Sequence, residues 1–127
     1  MNDIHIAGTR QTPAVDFVFS AHKLSLVGEA YPENAAAFFE PLNAALAEYL
    51  AATSDQPLTV MFDLRYLNSA STKMIFRLVG LLDAAAQQHR KVRLEFRLLE
   101  DDDMLLEFGN ELKEDHSWID FEFVTVA

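Results

Sequence analysis

The residues best equipped for chemistry sit together in Asn68-Ser69-Ala70-Ser71-Thr72, with Lys73 directly after them. Apolar residues run up to this stretch and helically spaced apolar residues follow it, which places the hydroxyls at a strand-to-helix turn. Backbone N–H groups at a helix start are unpaired and the helix dipole favours anions, so such a turn suits a phosphate. Its hydroxyls offer two kinds of chemistry, acceptance of a phosphoryl group or nucleophilic attack. Attack needs a base, and His5, His22, His89 and His116 are dispersed along the chain. The glycines of G-x-S-x-G are also missing around Ser69. The expectation is a protein with no catalytic residue, one that is not an enzyme.

On a helical wheel with Ser69 as origin, Met74, Ile75, Leu78, Leu81, Leu82 and Ala85 form a core stripe. Ser69, Lys73, Phe76, Gly80, Asp83 and Gln87 collect on the opposite face. A phosphate on Ser69 would bring about −1.5 to −2 charges within i,i+4 reach of Lys73. Phe76 then offers an anchor for a partner, and Gly80 lets that partner's backbone come close. Two plainer readings fit the same spacing: Asn68 and Ser69 cap the helix, and Phe76 tucks beneath a neighbouring loop.

The elements that must hold this turn follow from periodicity. Ile4 to Ala7 alternates, and Ala14 to Phe19 with Lys23 to Ala30 reads as a hairpin. A helix starts at Tyr31-Pro32-Glu33-Asn34, with Pro32 at its first position, and buries Phe38, Phe39, Leu42, Leu46, Tyr49 and Leu50. Pro41 inside that pattern predicts a kink, or two short helices with Pro41 opening the second. Thr53 to Pro57 is a connection. Leu58 to Tyr66 is apolar almost throughout, which predicts a central strand covered on both faces. After a helix from Ser69 to His89 come the alternating strand Lys91 to Leu99 and a helix from Asp101 to Glu114, with Met104, Leu105, Phe108 and Leu112 facing inward. Trp118 to Val126 is the last strand. The fold class is therefore α/β: one domain over 1–127, a mixed sheet with an antiparallel start followed by β-α-β-α-β-α-β.

Composition narrows the function. Half of the 127 residues are hydrophobic and the net charge is −10, which argues against disorder and against nucleic acid or an anionic membrane as partner. With no cysteine and no apolar h-region at the N-terminus, the chain reads as a soluble, cytoplasmic protein. Glu100 to Asp115 carries eight carboxylates against Lys113, either as a solvated face or as a surface for a basic partner. Neither the Ca²⁺-loop spacing nor H-E-x-x-H occurs, so no metal is expected. G-x-x-x-x-G-K and G-x-G-x-x-G are also absent, so no cofactor or nucleotide is expected either, and any kinase activity is assigned to a partner.

Tyr66-Leu67-Asn68-Ser69-Ala70-Ser71-Thr72-Lys73, together with Tyr31-Pro32-Glu33-Asn34, Ile4-His5-Ile6-Ala7-Gly8-Thr9 and Thr12-Pro13, resembles the SiaC family of bacterial regulatory phosphoproteins across essentially the whole chain. That family is similar in fold and logic to STAS-domain anti-sigma factor antagonists, and the resemblance implies a STAS-like domain. It further implies partner switching. A cognate serine/threonine kinase phosphorylates a hydroxyl in the turn and a PP2C-like phosphatase removes the phosphate. The unphosphorylated form binds and activates a diguanylate cyclase, with effects on cyclic di-GMP signalling and biofilm formation or aggregation. The family's acceptor is the hydroxyl residue after the turn asparagine, here Ser69. A second hydroxyl usually follows it, and this chain has Ala70 there, so Ser71 and Thr72 are secondary candidates. Tyr31, Glu33 and Asn34 join Asn68, Lys73, Phe76 and Gly80 as partner-binding candidates through the same likeness. An anti-sigma factor antagonist acting on transcription is the alternative, with the same switch and a different partner.

Overall fold

The computed structural model describes residues 1–52 and 54–126; Thr53, in the connection expected before the central strand, lies outside the described residues. The elements in order are β1 (Ile4–Ile6), β2 (Ala14–Val18), a 3₁₀ turn (Phe19–Ala21), β3 (Lys23–Ala30), α1 (Ala35–Ala51), β4 (Leu58–Leu67), α2 (Ser69–Gln87), β5 (Val92–Leu99), α3 (Asp103–Asp115) and β6 (Asp120–Val126). They form one six-stranded sheet in the order β1-β2-β3-β4-β5-β6. β1, β2 and β3 pair antiparallel, and β3 through β6 pair parallel. This is the expected α/β element order and mixed sheet.

Strand order decides where the helices go. Each parallel crossover steps to the next strand in the same direction, and right-handed connections then put α1, α2 and α3 on one face of the sheet. Leu58, Val60, Phe62 and Leu64 of β4 are buried beneath that layer. Thr59 is exposed and Met61, Asp63 and Arg65 are only half-buried on the other side. The expectation that β4 is covered on both faces is therefore corrected: the chain is a two-layer sandwich with one open sheet face. That face is kept polar by ion pairs along neighbouring residues, Asp63 with Arg65 at 2.9 Å and Glu95 with Arg97 at 2.5 Å, and by Arg93 with Glu122 across β5 and β6.

Several local expectations also change. α1 begins at Ala35, not at Pro32, because Asn34 takes the cap position and its Oδ1 accepts from the Ala37 N–H at 3.0 Å. α1 then continues through Pro41 as a single element. Pro41 removes one donor to the carbonyl of Ala37, and both residues are exposed, so water can take that carbonyl. In α3 the buried stripe is Leu105, Gly109 and Leu112, while Met104 is 79 % exposed and Phe108 half-buried. α2 stops at Gln87, two residues short of the expected end, where His89 turns into the left-handed region at φ 74°.

Candidate phosphoacceptor turn and partner surface

The turn between β4 and α2 is held by Asn68. Its side chain caps α2, accepting from the Ser71 N–H at 2.9 Å, and donates to the carbonyl of Pro32 at 3.2 Å. Its backbone N–H donates to the carbonyl of Ala30 at 3.0 Å. A β-bulge between Gly28 and Ala30 brings Ala30 opposite Leu67, and Gly28 adopts φ 124°, a conformation that favours glycine. The Tyr31 N–H donates to Gln11 at 2.8 Å, tying in the β1–β2 loop with its Thr9–Thr12 hydrogen bonds. The sequence stretches around Thr12-Pro13, Tyr31 to Asn34 and Tyr66 to Lys73 thus meet at the carboxyl end of the parallel strands, where α/β sheets commonly place their sites.

The three hydroxyls of the turn are not equivalent. Ser69 is exposed in the first position of α2, and among the described residues its hydroxyl has no hydrogen bond. Thr72 is half-buried and its hydroxyl donates to the Ser69 carbonyl at 2.7 Å. Ser71 is fully buried, with its oxygen unpartnered among the described residues. A phosphate there would require α2 to unwind. The helical wheel already carries this signal, since Ser71 shares the i, i+4, i+7, i+11 stripe of Ile75, Leu78 and Leu82.

A groove of about 450 Å³ runs from Ser69 between α2 and α3. Thr72, Lys73 and Phe76 line it from α2; Met104, Glu107, Phe108 and Glu111 line it from α3. Lys73 is exposed and forms no ion pair among the described residues, so it is available to a charge on Ser69. Glu107 and Glu111 give the far wall the opposite sign. Phe76 is not freely presented: it is half-buried and packs edge-on to His116, ring centroids 4.7 Å apart. His116 is itself buried and held through Nδ1 to the Leu112 carbonyl at 2.7 Å. A side chain added at Gly80 would point towards His116 Nε2, at 3.8 Å. Phe76 and Gly80 therefore seat the end of α3, and the face expected to be outward becomes the floor of a groove.

On the other side of the turn, Tyr31 and Tyr66 pack edge to face at 5.4 Å, and Tyr66 is 52 % exposed. Glu33 and Asn34 are exposed beside them. Sequence reasoning missed Tyr66 and the groove-lining Met104, Glu107 and Glu111. For Met104 the signal was available in the i, i+4, i+7 phase of Leu105, Gly109 and Leu112, which leaves Met104 off the core stripe. Among the described residues no group of three His, Asp or Glu side chains is arranged to hold a metal, and no helix is long and apolar enough to cross a membrane.

Comparison with known proteins places this geometry. An uncharacterised protein of Pseudomonas aeruginosa strain UCBPP-PA14 is 34 % identical over 118 residues, covering 93 % of each chain. The structure of apo-SiaC from Pseudomonas aeruginosa is similar over the full length of both chains, with 35 % identity and a TM-score of 0.85. A structure of the diguanylate cyclase SiaD in complex with its activator SiaC, from the same organism, matches with 32 % identity and a TM-score of 0.89, covering 98 % of this chain and 100 % of that one. Residues 6–126 match the family model described as SiaC family regulatory phosphoprotein, and the chain belongs to that family.

Proposed function

We propose that this chain is a non-enzymatic partner-switching protein whose unphosphorylated form binds and activates a diguanylate cyclase, and that phosphorylation of Ser69 turns the interaction off. The observation that carries the reading is the exposed, unbonded Ser69 hydroxyl at the first position of α2, at the head of a groove with Lys73 on one wall. The SiaC of the complex with SiaD, 32 % identical to this chain, is described as that cyclase's activator, which favours a cyclase over an anti-sigma factor as partner. A kinase delivers the phosphate and a PP2C-like phosphatase removes it. The fold tolerates the added charge because α2's dipole and Lys73 favour it. Across an interface the same charge sets a strongly hydrated anion among Phe76, Phe108 and Met104, so partner binding is lost. Tyr31, Tyr66, Glu33 and Asn34 extend the surface on the β3 side of the turn, and Asn68 holds its two halves together.

The test is a pull-down and cyclase assay using wild type, Ser69→Ala and Ser69→Asp with the diguanylate cyclase of the same cell. Wild type and Ser69→Ala should bind and activate, and Ser69→Asp should weaken binding by at least about tenfold, a change of about 1.4 kcal/mol. Equal binding by all three would overturn the switch at Ser69. Recovery of an anti-sigma factor in place of a cyclase would overturn the partner.

A further inference from the structure

The end of the sheet opposite Ser69 gathers a second set of side chains. β4 is ten residues long, which puts the two ends on the order of 30 Å apart. A cleft of about 530 Å³ opens at this far end, lined among others by His89, Arg90, Lys91, Arg93, Trp118 and Asp120. That volume suits a small-molecule site. In a chain of net charge −10, this cleft sets three permanent cations against one carboxylate.

Arg90 is the most informative of them. It is only 9 % exposed, and among the described residues no carboxylate lies within ion-pair distance of it. Its partners are neutral: Nε donates to the Gln56 carbonyl at 2.6 Å and Nη2 to the Tyr49 hydroxyl at 2.5 Å. The Tyr49 hydroxyl is in turn hydrogen-bonded with Nδ1 of His22, which also lies 3.5 Å from Arg90 Nη2, so the network holds no counter-charge. A buried cation without one is costly, and an anion in the adjoining cleft would offset that cost. Lys91 is exposed and without an ion pair among the described residues, and Arg93 engages Glu122 at the rim. Trp118 is 57 % exposed, yet its backbone N–H is fixed by Asp83 Oδ1 at 2.9 Å, which anchors the chain beneath an uncovered indole.

An open aromatic face beside cations in a concave site is the combination that takes a phosphorylated planar base, by stacking and charge together. We propose that this cleft binds a nucleotide, the base on Trp118 and the phosphates towards Lys91 and Arg93, with Arg90 supplying buried positive charge behind them. Such a site needs no glycine-rich loop, so the motifs missing from the sequence do not bear on it. It is also independent of the Ser69 turn.

Trp118 is the chain's single tryptophan and reports directly on the site. Its fluorescence, excited on the red edge of the indole band, is titrated in the full chain with GTP, GMP, cyclic di-GMP and inorganic phosphate, the arms separating mononucleotide from cyclic dinucleotide. Saturable quenching by at least one nucleotide, with Kd below about 1 mM, is the expected result. The exposed-site double variant Lys91→Glu with Arg93→Gln, its fold checked by circular dichroism, should weaken that binding by at least about tenfold. The proposal is overturned by the absence of saturable quenching with every nucleotide, by undiminished binding in the double variant, or by phosphate alone binding as tightly as the nucleotides.

Discussion

Asn68 accepts from Ser71, donates to Pro32 and leaves Ser69 unbonded, so one side chain both fixes the turn and keeps its outermost hydroxyl available. Asn68→Ala removes the cap and the tether to the β3–α1 connection. The expected cost is about 0.5–2 kcal/mol in equilibrium urea unfolding, the range of lost helix caps. Asn68→Asp keeps an acceptor for the Ser71 N–H and suits the helix dipole, but it cannot donate to Pro32, so it should cost less than the alanine variant. Equal stability of all three proteins would show that the turn is held by something other than Asn68. At this scale much was legible. The Asn-Ser pair before an apolar periodic stretch identifies a cap, whereas Ser71 stands as a secondary acceptor candidate in the sequence although its spacing to Ile75, Leu78 and Leu82 puts it on the buried stripe. The groove's far wall was not legible, because which residues oppose Ser69 depends on how α3 crosses α2, and that contact joins residues some 35 to 42 positions apart in the chain.

α3 supplies that wall, and its seat on the sheet rests on Gly109. A Cβ there would lie 2.6 Å from Phe123 and 3.0 Å from Phe96, distances that real side chains do not tolerate without movement. Phe96 is fully buried and stacked on Phe121, so it has little room to yield. Gly109→Ala gains up to about 1 kcal/mol of helix propensity against about 1–3 kcal/mol of overpacking, so a net loss of about 1 kcal/mol is expected in urea unfolding. Because α3 also carries Met104 and Phe108, the displaced helix should weaken binding of the proposed cyclase partner even though neither groove residue has changed. An alanine variant that is more stable than wild type and binds normally would show that α3 does not need this close approach. The periodicity of α3 was readable, and its phase is carried by a glycine that is easily passed over. Leu105, Gly109 and Leu112 make a stripe only once the small residue is counted as buried, and a reading that counts bulky residues alone shifts the inward face to include Met104. Helix starts were blurred for a related reason: Pro32 and Asn34 both suit an N-terminus, and Asn34 takes the cap because its side chain reaches Ala37.

At the scale of the molecule, the element sequence and the mixed sheet follow from alternation and helical spacing, but strand order does not. β4 reads as covered on both faces because Met61 interrupts what is otherwise an alternation of Leu58, Val60, Phe62 and Leu64 with more polar residues. Consecutive strand order puts all three helices on one side, and Met61 then stands half-buried on the open face beside Glu95 of β5. Two neighbouring substitutions separate these architectures. Phe62 is 1 % exposed beneath the helices, and Phe62→Ala should cost about 3–5 kcal/mol through lost burial and the cavity it leaves. Met61→Lys should cost less than about 1 kcal/mol, since the ammonium can reach water and a cross-strand charge pair with Glu95 is favourable. A sheet covered on both faces would make the lysine the worse of the two, because it would bury an unpaired cation. Urea unfolding of the two variants, read as the shift in midpoint at constant slope, gives the comparison directly. A lysine variant that fails to fold, or unfolds at lower urea than the alanine variant, would require the second face to be covered in solution.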